Sequence, residues 1–269
     1  MHGAPPRTTT LEPVAASVEG SAGADSVHTF GFLMVPDFSM IAFTSAIEPL
    51  RLANRCSGKA LYGWRIFSPD GLPVAASNGV SIAVDGSYAD VGPMPAVVVC
   101  AGVDVHRFDH RDLIAKLRTL AFYGVSIGAV CTGTHVLARA GLLSGRRCTI
   151  HWENHDSFRE EFADIEVTQE LFEIDRNRFT CAGGTAAIDM MLSMIAKQKG
   201  SDVAAQVTDQ LIHHRQRDSH ERQRMELRAR LGVAHPKLLA VVSEMEKSLE
   251  NPLSCADLAR QVGLSTRQL

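Results

Sequence analysis

Cys131 is the residue of this chain whose type and setting are best suited to chemistry. It stands in the run Ile127-Gly128-Ala129-Val130-Cys131-Thr132-Gly133-Thr134-His135, where a short apolar strand passes through small residues into a helix expected over residues 136–140. A thiol at such a strand-to-helix turn is lifted clear of the backbone, and the helix amino terminus beneath it favours the thiolate. That setting suits a nucleophile, or a small pocket walled by backbone N–H groups. The N–H groups of Gly102, Thr132 and Gly133 are candidate holders of a carboxylate, as tight turns and helix N-termini are for anions. His135, a turn further on, faces either the pocket or the flank of its own helix. The ordinary alternative is a cysteine packed into the core. The crowding of Gly128, Ala129, Thr132 and Gly133 around the thiol favours the elbow.

The elements needed to position this elbow are legible around it. Residues 30–35 and 96–100 are continuous apolar strands, 62–68 and 80–84 are further strand candidates, and 125–130 is the buried strand that delivers Cys131. Helices are expected over 41–54, with Ile47, Leu50 and Leu52 inward, and over 112–122. Short apolar runs separated by amphipathic helices predict an α/β fold with a mostly parallel sheet sandwiched by helices. Ligands on such sheets bind at the carboxyl ends of the strands, which is where Cys131 stands.

A different architecture begins after residue 200. An amphipathic helix is expected over 202–217, with Val203, Val207, Leu211 and Ile212 on one side. A second is expected over 236–249, with Leu238, Val241, Val242, Met245 and Leu249 on one side. Then Ser254 reads as an N-cap with Asp257 in the first turn, Leu258, Ala259 and Val262 as an apolar face, Gly263 as a turn and Ser265 as the cap of a helix starting at Thr266. This is an all-α helix-turn-helix segment that stops within the first turn of its second helix. Ser265, Thr266, Arg267 and Gln268 are the candidate DNA contacts. An ordinary helical hairpin is the alternative.

Residues 213–269 carry ten Lys or Arg against seven Asp or Glu, so a tail of about +3 is joined to a body of about −6 in a chain of net charge −3. The basic tail favours nucleic acid. The arginines at 215, 217, 222, 224, 228 and 230 interleave with acids and read equally as a solvated helix face. No apolar run is long enough to span a bilayer. Residues 1–27 read as a disordered leader without the apolar stretch of a signal peptide, and a cytoplasmic location is expected. Six cysteines, none in a CxxC pair, argue against a zinc site and a disulfide framework. No metal and no cofactor are expected.

From residue 28 to 200 the chain resembles the class I glutamine amidotransferase-like superfamily, in the PfpI branch. The resemblance rests on the strand at 30–35, Val97 to Gly102, the elbow at Cys131, Cys148-Thr149-Ile150-His151-Trp152, and Thr180 to Ala186 leading into a helix. It implies a flavodoxin-like fold, a cysteine nucleophile at the position of Cys131 and a histidine at that of His151. It also implies an acidic partner just after the first strand, but Ala42 stands there. Without that acid, general acid-base help worth about 10²- to 10⁴-fold is missing, so catalysis is not expected. Glu48, nearly two helical turns on, is expected to face another surface.

An elbow without its acid, followed by half of an AraC/XylS-type DNA-binding domain, resembles AraC-family regulators with an amidotransferase-like sensor. Residues 38–54 and 175–191 are similar to the branch that responds to glycine betaine and carnitine. The resemblance implies a homodimeric transcriptional regulator binding promoter DNA and a small amine or amino-acid effector of the betaine, carnitine or arginine class. A quaternary ammonium has no N–H to donate and is held by aromatic faces and a carboxylate, which Trp152 and Glu153 beside His151 can supply. The expected organisation is a leader at 1–27, an effector domain at 28–200, a linker helix region at 201–235 and an incomplete helix-turn-helix at 236–269, the 202–217 helix carrying the effector signal. A cysteine-dependent hydrolase, hydratase or glyoxalase is the second reading. A module that binds effector or dimerises without binding DNA is the third.

Overall fold

A computed structural model describes residues 27–225, 227–248 and 251–269. The expected leader, apart from Val27, and Leu249 of the expected 236–249 helix lie outside the described residues. In chain order the strands and helices run β1 (His28–Met34), α1 (Met40–Ser57), β2 (Tyr62–Ser68), β3 (Val74–Ala75), β4 (Ser81–Ile82), β5 (Gly86–Ser87), β6 (Ala96–Cys100), α2 (Arg111–Phe122), β7 (Ser126–Val130) and α3 (Gly133–Arg139). They continue through β8 (Arg147–Thr149), α4 (His155–Glu161), β9 (Glu166–Thr168), β10 (Phe172–Asp175), β11 (Arg178–Cys181), α5 (Ala186–Lys199), α6 (Ser201–Gln210), α7 (Leu227–Leu231), α8 (Pro236–Lys247) and α9 (Cys255–Gln261).

Seven strands form one sheet in the order β10-β11-β7-β6-β1-β2-β5, parallel throughout except where β10 pairs antiparallel with β11. The strands alternate between two buried faces, which is why they read as unbroken apolar runs. Phe30, Phe32 and Met34 of β1, with Val98 and Cys100 of β6, face a core shared with α1, α5 and α6. Leu33, Val97 and Val99 face a second core shared with α2, α3 and Phe158 of α4. Each such side chain, fully withdrawn from water, contributes about 1.5–3 kcal/mol. The predicted helix-covered parallel sheet is therefore the one observed. The order in which strands are added reverses between β1 and β6, which run parallel, so the carboxyl ends of these strands, next to that of β7, are where such a fold binds ligands.

Local chemistry sets the element ends. The Ser39 hydroxyl accepts the Ala42 N–H at 3.4 Å to cap α1, and Gly58, at φ +66°, closes it. Gly128 admits the Phe179 ring onto β7, where any Cβ would collide with it. The strand expected over 80–84 is only the two-residue β4, paired with β3 outside the main sheet, because these are short exposed residues between turns.

The helix expected over 202–217 ends at Gln210. Val203, Val207 and Leu211 do pack on the α1–α5 core, but Ile212 takes φ +53° and is 91% exposed. A buried carboxylate explains the break. Asp189, on the inner face of α5 and 0% exposed, accepts the His213 ring nitrogen at 3.0 Å, the Arg217 backbone N–H at 2.7 Å and the Arg217 guanidinium at 2.7 and 2.9 Å. The chain must leave helical geometry after Leu211 to reach it. Residues 212–225 then run across the sensor without forming helix or sheet strand.

The tail forms as expected up to its second helix. The Ser254 hydroxyl accepts the Asp257 N–H at 3.2 Å, Leu258 and Ala259 are buried, and Gly263 turns at φ +64°. Ser265 receives the Gln268 N–H on its carbonyl and presents its own N–H to the Gln268 side chain at 3.0 Å, but only a turn over 266–268 follows, since a few residues cannot stabilise a helix nucleus. The apolar stripe of α8 is only partly covered. Val241 is buried, whereas Leu238 is 43% and Met245 50% exposed.

Replacing Arg217 with alanine would leave the Asp189 carboxylate buried without its guanidinium. A loss of unfolding free energy of about 3–5 kcal/mol is expected, read from the urea midpoint, with faster protease cleavage within 212–225. An unchanged midpoint would show that Asp189 does not anchor this segment.

Candidate functional site

The backbone of Cys131 takes φ +59°, a left-handed conformation costly for a side chain with a Cβ and typical of a strained functional turn. Neighbours on three sides hold it. Its N–H donates to the Cys181 carbonyl at 3.0 Å, the Thr132 hydroxyl donates to the Gly102 carbonyl, and Gly183, itself at φ +90°, lies against the thiol. A Cβ at Gly183 would stand 2.7 Å from that of Cys131 and 3.2 Å from its sulfur. Gly102 is equally constrained, since a Cβ there would run into the Asp37 carbonyl. Gly133, at the start of α3, abuts the Val99 carbonyl in the same way. Cys131, Thr132, Gly133 and Gly102 therefore come together at the carboxyl ends of β6 and β7. Gly183 belongs with them although the sequence assigned it no role. Its signal was the glycine pair in Cys181-Ala182-Gly183-Gly184.

The thiol is not the low-pKa group that an elbow suggests. Cys131 is 5% exposed, and burial pushes its pKa up to about 11, with the Glu153 carboxylate adding to the rise and the Thr132 N–H opposing it. Two further thiols, Cys100 and Cys181, are buried in strands beside it and raised by burial in turn, Cys181 to about 12. Desolvation outweighs what the short α3 can supply. Ala42 is fully buried in the same apolar cluster as Cys131, so a methyl occupies the position expected for the acid. Glu48 pairs with Arg51 at 2.6 Å on the exposed side of α1, as expected of a residue facing another surface.

The His151-Trp152-Glu153 segment is tied to the elbow through hydrogen bonds. The Thr134 hydroxyl of α3 donates to the Thr149 carbonyl at 2.8 Å, and the Thr149 N–H donates to the Thr180 hydroxyl at 2.9 Å. His151 is half-buried, burial lowers its pKa, and its Nδ1 accepts the Glu153 N–H at 3.4 Å. Trp152 is exposed, and the Arg224 guanidinium lies over its ring, 4.4 Å from the centroid. His135 departs from the expected pocket. Its ring lies among Phe158, Phe162 and His106 and donates to the Glu161 carboxylate at 2.8 Å, and burial lowers its pKa.

Residues 213–225, whose arginines read from the sequence either as favouring nucleic acid or as a solvated helix face, form no helix and remain largely exposed, but the segment is docked on this site. Gln223 donates to the Thr149 hydroxyl and to the Ile150 and Glu170 carbonyls at 2.9–3.0 Å, and the Leu171 N–H donates to the Ser219 carbonyl. Arg215 pairs with Glu221, Arg217 with Asp189, and Arg224 reaches Glu246 of α8 at 3.8 Å. Interleaved charges carry no sign of which acid each will find, so this docking had no sequence signal. Ser265, Thr266, Arg267 and Gln268 lie together in the exposed terminal turn, remote in sequence from the elbow. A cavity of 640 Å³ lined by Met94, Lys116 and Tyr123 opens at the amino-terminal ends of β6 and β7, the wrong end of the strands for a ligand in this architecture.

The model of the DJ-1/PfpI family matches residues 32–197. The chain is 45% identical over 240 residues to the HTH-type transcriptional regulator CdhR of Pseudomonas aeruginosa, covering 89% of this chain and 71% of that protein. It is 42% identical over 242 residues to the HTH-type transcriptional regulator GbdR of Pseudomonas aeruginosa, covering 90% of this chain and 66% of that protein. Among solved structures, an AraC family transcriptional regulator from Pseudomonas putida superposes with a TM-score of 0.64 at 28% identity, over 68% of this chain and 99% of that one.

With its pKa near 11, Cys131 is expected to react with iodoacetamide at a rate that rises tenfold per pH unit from pH 7 to 10. Peptide-resolved mass spectrometry separates it from exposed Cys255. A plateau below pH 8 would mark an activated thiolate and contradict the buried-thiol account.

Proposed function

We propose a function from a plain premise: the chain belongs to the DJ-1/PfpI family, among relatives that are HTH-type transcriptional regulators. The chain is a regulator of transcription whose DJ-1/PfpI domain senses a small effector and does not turn it over. The effector is a cationic amine of the betaine, carnitine or arginine class, in keeping with the sequence resemblance of residues 38–54 and 175–191. It binds where the elbow backbone of Thr132, Gly133 and Gly102 can take a carboxylate and where Trp152 and Glu153 can take the cation.

One observation carries this reading. Trp152 already holds a cation on its face, the guanidinium of Arg224, and that same arginine reaches Glu246 of α8. A quaternary ammonium competing for the Trp152 face displaces Arg224. This changes the hold of the 213–225 segment on the sensor and the placement of the helix-turn-helix segment that follows. Signal passes through this extended strap and not through α6, whose Val207 is fixed in the α1–α5 core. The effector acts only through its different affinity for the docked and released straps, which is the requirement for any such switch. Promoter DNA is the partner of the tail, and a homodimer is its working form.

Buried thiol and missing acid both support sensing over catalysis. Cys131 forms the floor of the effector site, held neutral and close to the ligand carboxylate without competing for it electrostatically. His151, neutral at neutral pH, lines the same segment.

Glycine betaine, carnitine, dimethylglycine and arginine would be offered together and followed by ligand-observed NMR, with Trp152 fluorescence as a second readout. Saturation transfer to at least one compound is expected without loss of its signal. Trp152→Ala should abolish that transfer, and Arg224→Gln should raise the affinity by roughly 2- to 5-fold, the removal of a competitor worth about 0.5–1 kcal/mol. Steady consumption of a compound, stopped by Cys131→Ala, would make the protein an enzyme. Binding that survives Trp152→Ala would place the effector elsewhere.

A further inference from the structure

His135 is the elbow-helix residue that the effector site leaves unused, and its surroundings have a chemistry of their own. Three elements converge on it. His106 comes from the 3-10 turn Val105–Arg107 that follows the Gly102 loop, His135 from α3 and Glu161 from the end of α4. One ring nitrogen from each histidine and one carboxylate oxygen lie within 4.8 Å of one another. The two imidazoles meet edge to face with centroids 4.3 Å apart, and the His135 ring nitrogen is 2.8 Å from Glu161.

We propose that His106, His135 and Glu161 form a binding site for a divalent transition metal ion of the zinc type. Two imidazoles and one carboxylate are a recognised zinc donor set, with metal–ligand bonds of about 2.0–2.2 Å. Tetrahedral bonding at those lengths sets ligand atoms roughly 3.3–3.6 Å apart, so the three need shift by only on the order of 1 Å. The exposed side chains of His106 and Glu161 can make that shift, while His135, nine-tenths buried between Phe158 and Phe162, is the fixed ligand. As it stands the His135 ring is poorly satisfied. Its Nδ1 is buried with no partner, Glu161 is its one polar partner, and His106 makes no side-chain hydrogen bond among the described residues. A set of three with an exposed side leaves the fourth position to water.

The site uses no thiol, so the lack of CxxC pairs, which excludes cysteine zinc sites, does not bear on it. Its position gives it a consequence. A metal there joins the loop after β6 to α3 and α4, and the Gly102 carbonyl of that loop is what the Thr132 hydroxyl holds beside Cys131. Metal occupancy thereby stiffens one wall of the elbow. Zinc binding is independent of which effector the elbow takes.

Zinc chloride would be titrated calorimetrically into the whole chain in a non-chelating buffer, with cobalt(II) as a visible probe. One ion per chain is expected. His106→Ala and Glu161→Gln, both surface changes, should each weaken binding by roughly 10-fold or more. The cobalt complex should lack a thiolate charge-transfer band. No binding, an unchanged affinity in His106→Ala with a native circular dichroism spectrum, or a thiolate band pointing to the cysteines would each overturn the assignment.

Discussion

β7, buried on both faces, ends in a left-handed turn at Cys131, and the candidate site is organised around that turn. β7 lies between β6 and β11, with both faces buried, and α3 starts at once after it to cover the sheet. Cys131 takes the left-handed conformation that this demands. A backbone cost of order 1–3 kcal/mol at a residue with a Cβ persists only where the surroundings over-determine it. Here they are the Cys181 carbonyl on one side, the Gly183 backbone against the sulfur, and the Thr132–Gly102 hydrogen bond on the other side. Each requires a small residue or a hydroxyl at one position, which is why the functional-looking motif and the structural one coincide.

The same packing that makes the turn disarms the thiol. A nucleophile elbow works when the strained side chain is lifted into solvent or substrate, with a base at hand. In this chain Gly183 closes over the sulfur, Ala42 stands where the acid would be, and desolvation leaves the thiol protonated near neutral pH. The elbow thus keeps its backbone geometry while its thiol is held protonated.

Sheet, helices and elbow were legible because they follow from patterns local to each element. Apolar runs pointed to the buried strands, Ser254 to a helix start, and Gly263 to the turn in the tail. Three things were not legible, and all depend on partners distant in sequence. Asp189 is a lone acid in an apolar helix, and nothing near it announces that His213 and Arg217 will meet it and end α6 early. His135 sits four residues after the thiol, but its ring turns toward Glu161 and His106, which come from two other elements. The low thiol pKa expected from the helix terminus failed because burial, a sum over many neighbours, exceeds one dipole.

The strap is held unequally along its length. Residues 212–225 lack the regular backbone pairing of helix or sheet, and they are held by a short series of polar contacts: Asp189 at one end, Glu170, the Thr149 hydroxyl and the Ile150 carbonyl in the middle, and the Trp152 face at the other. These contacts are unequal. The Asp189 cluster is buried, and breaking it leaves an uncompensated charge, whereas the Arg224–Trp152 contact is exposed and worth only about 0.5–1 kcal/mol. The strap is therefore held more weakly at its Trp152 end than at α5, and the weaker end is the one leading into α7, α8 and α9.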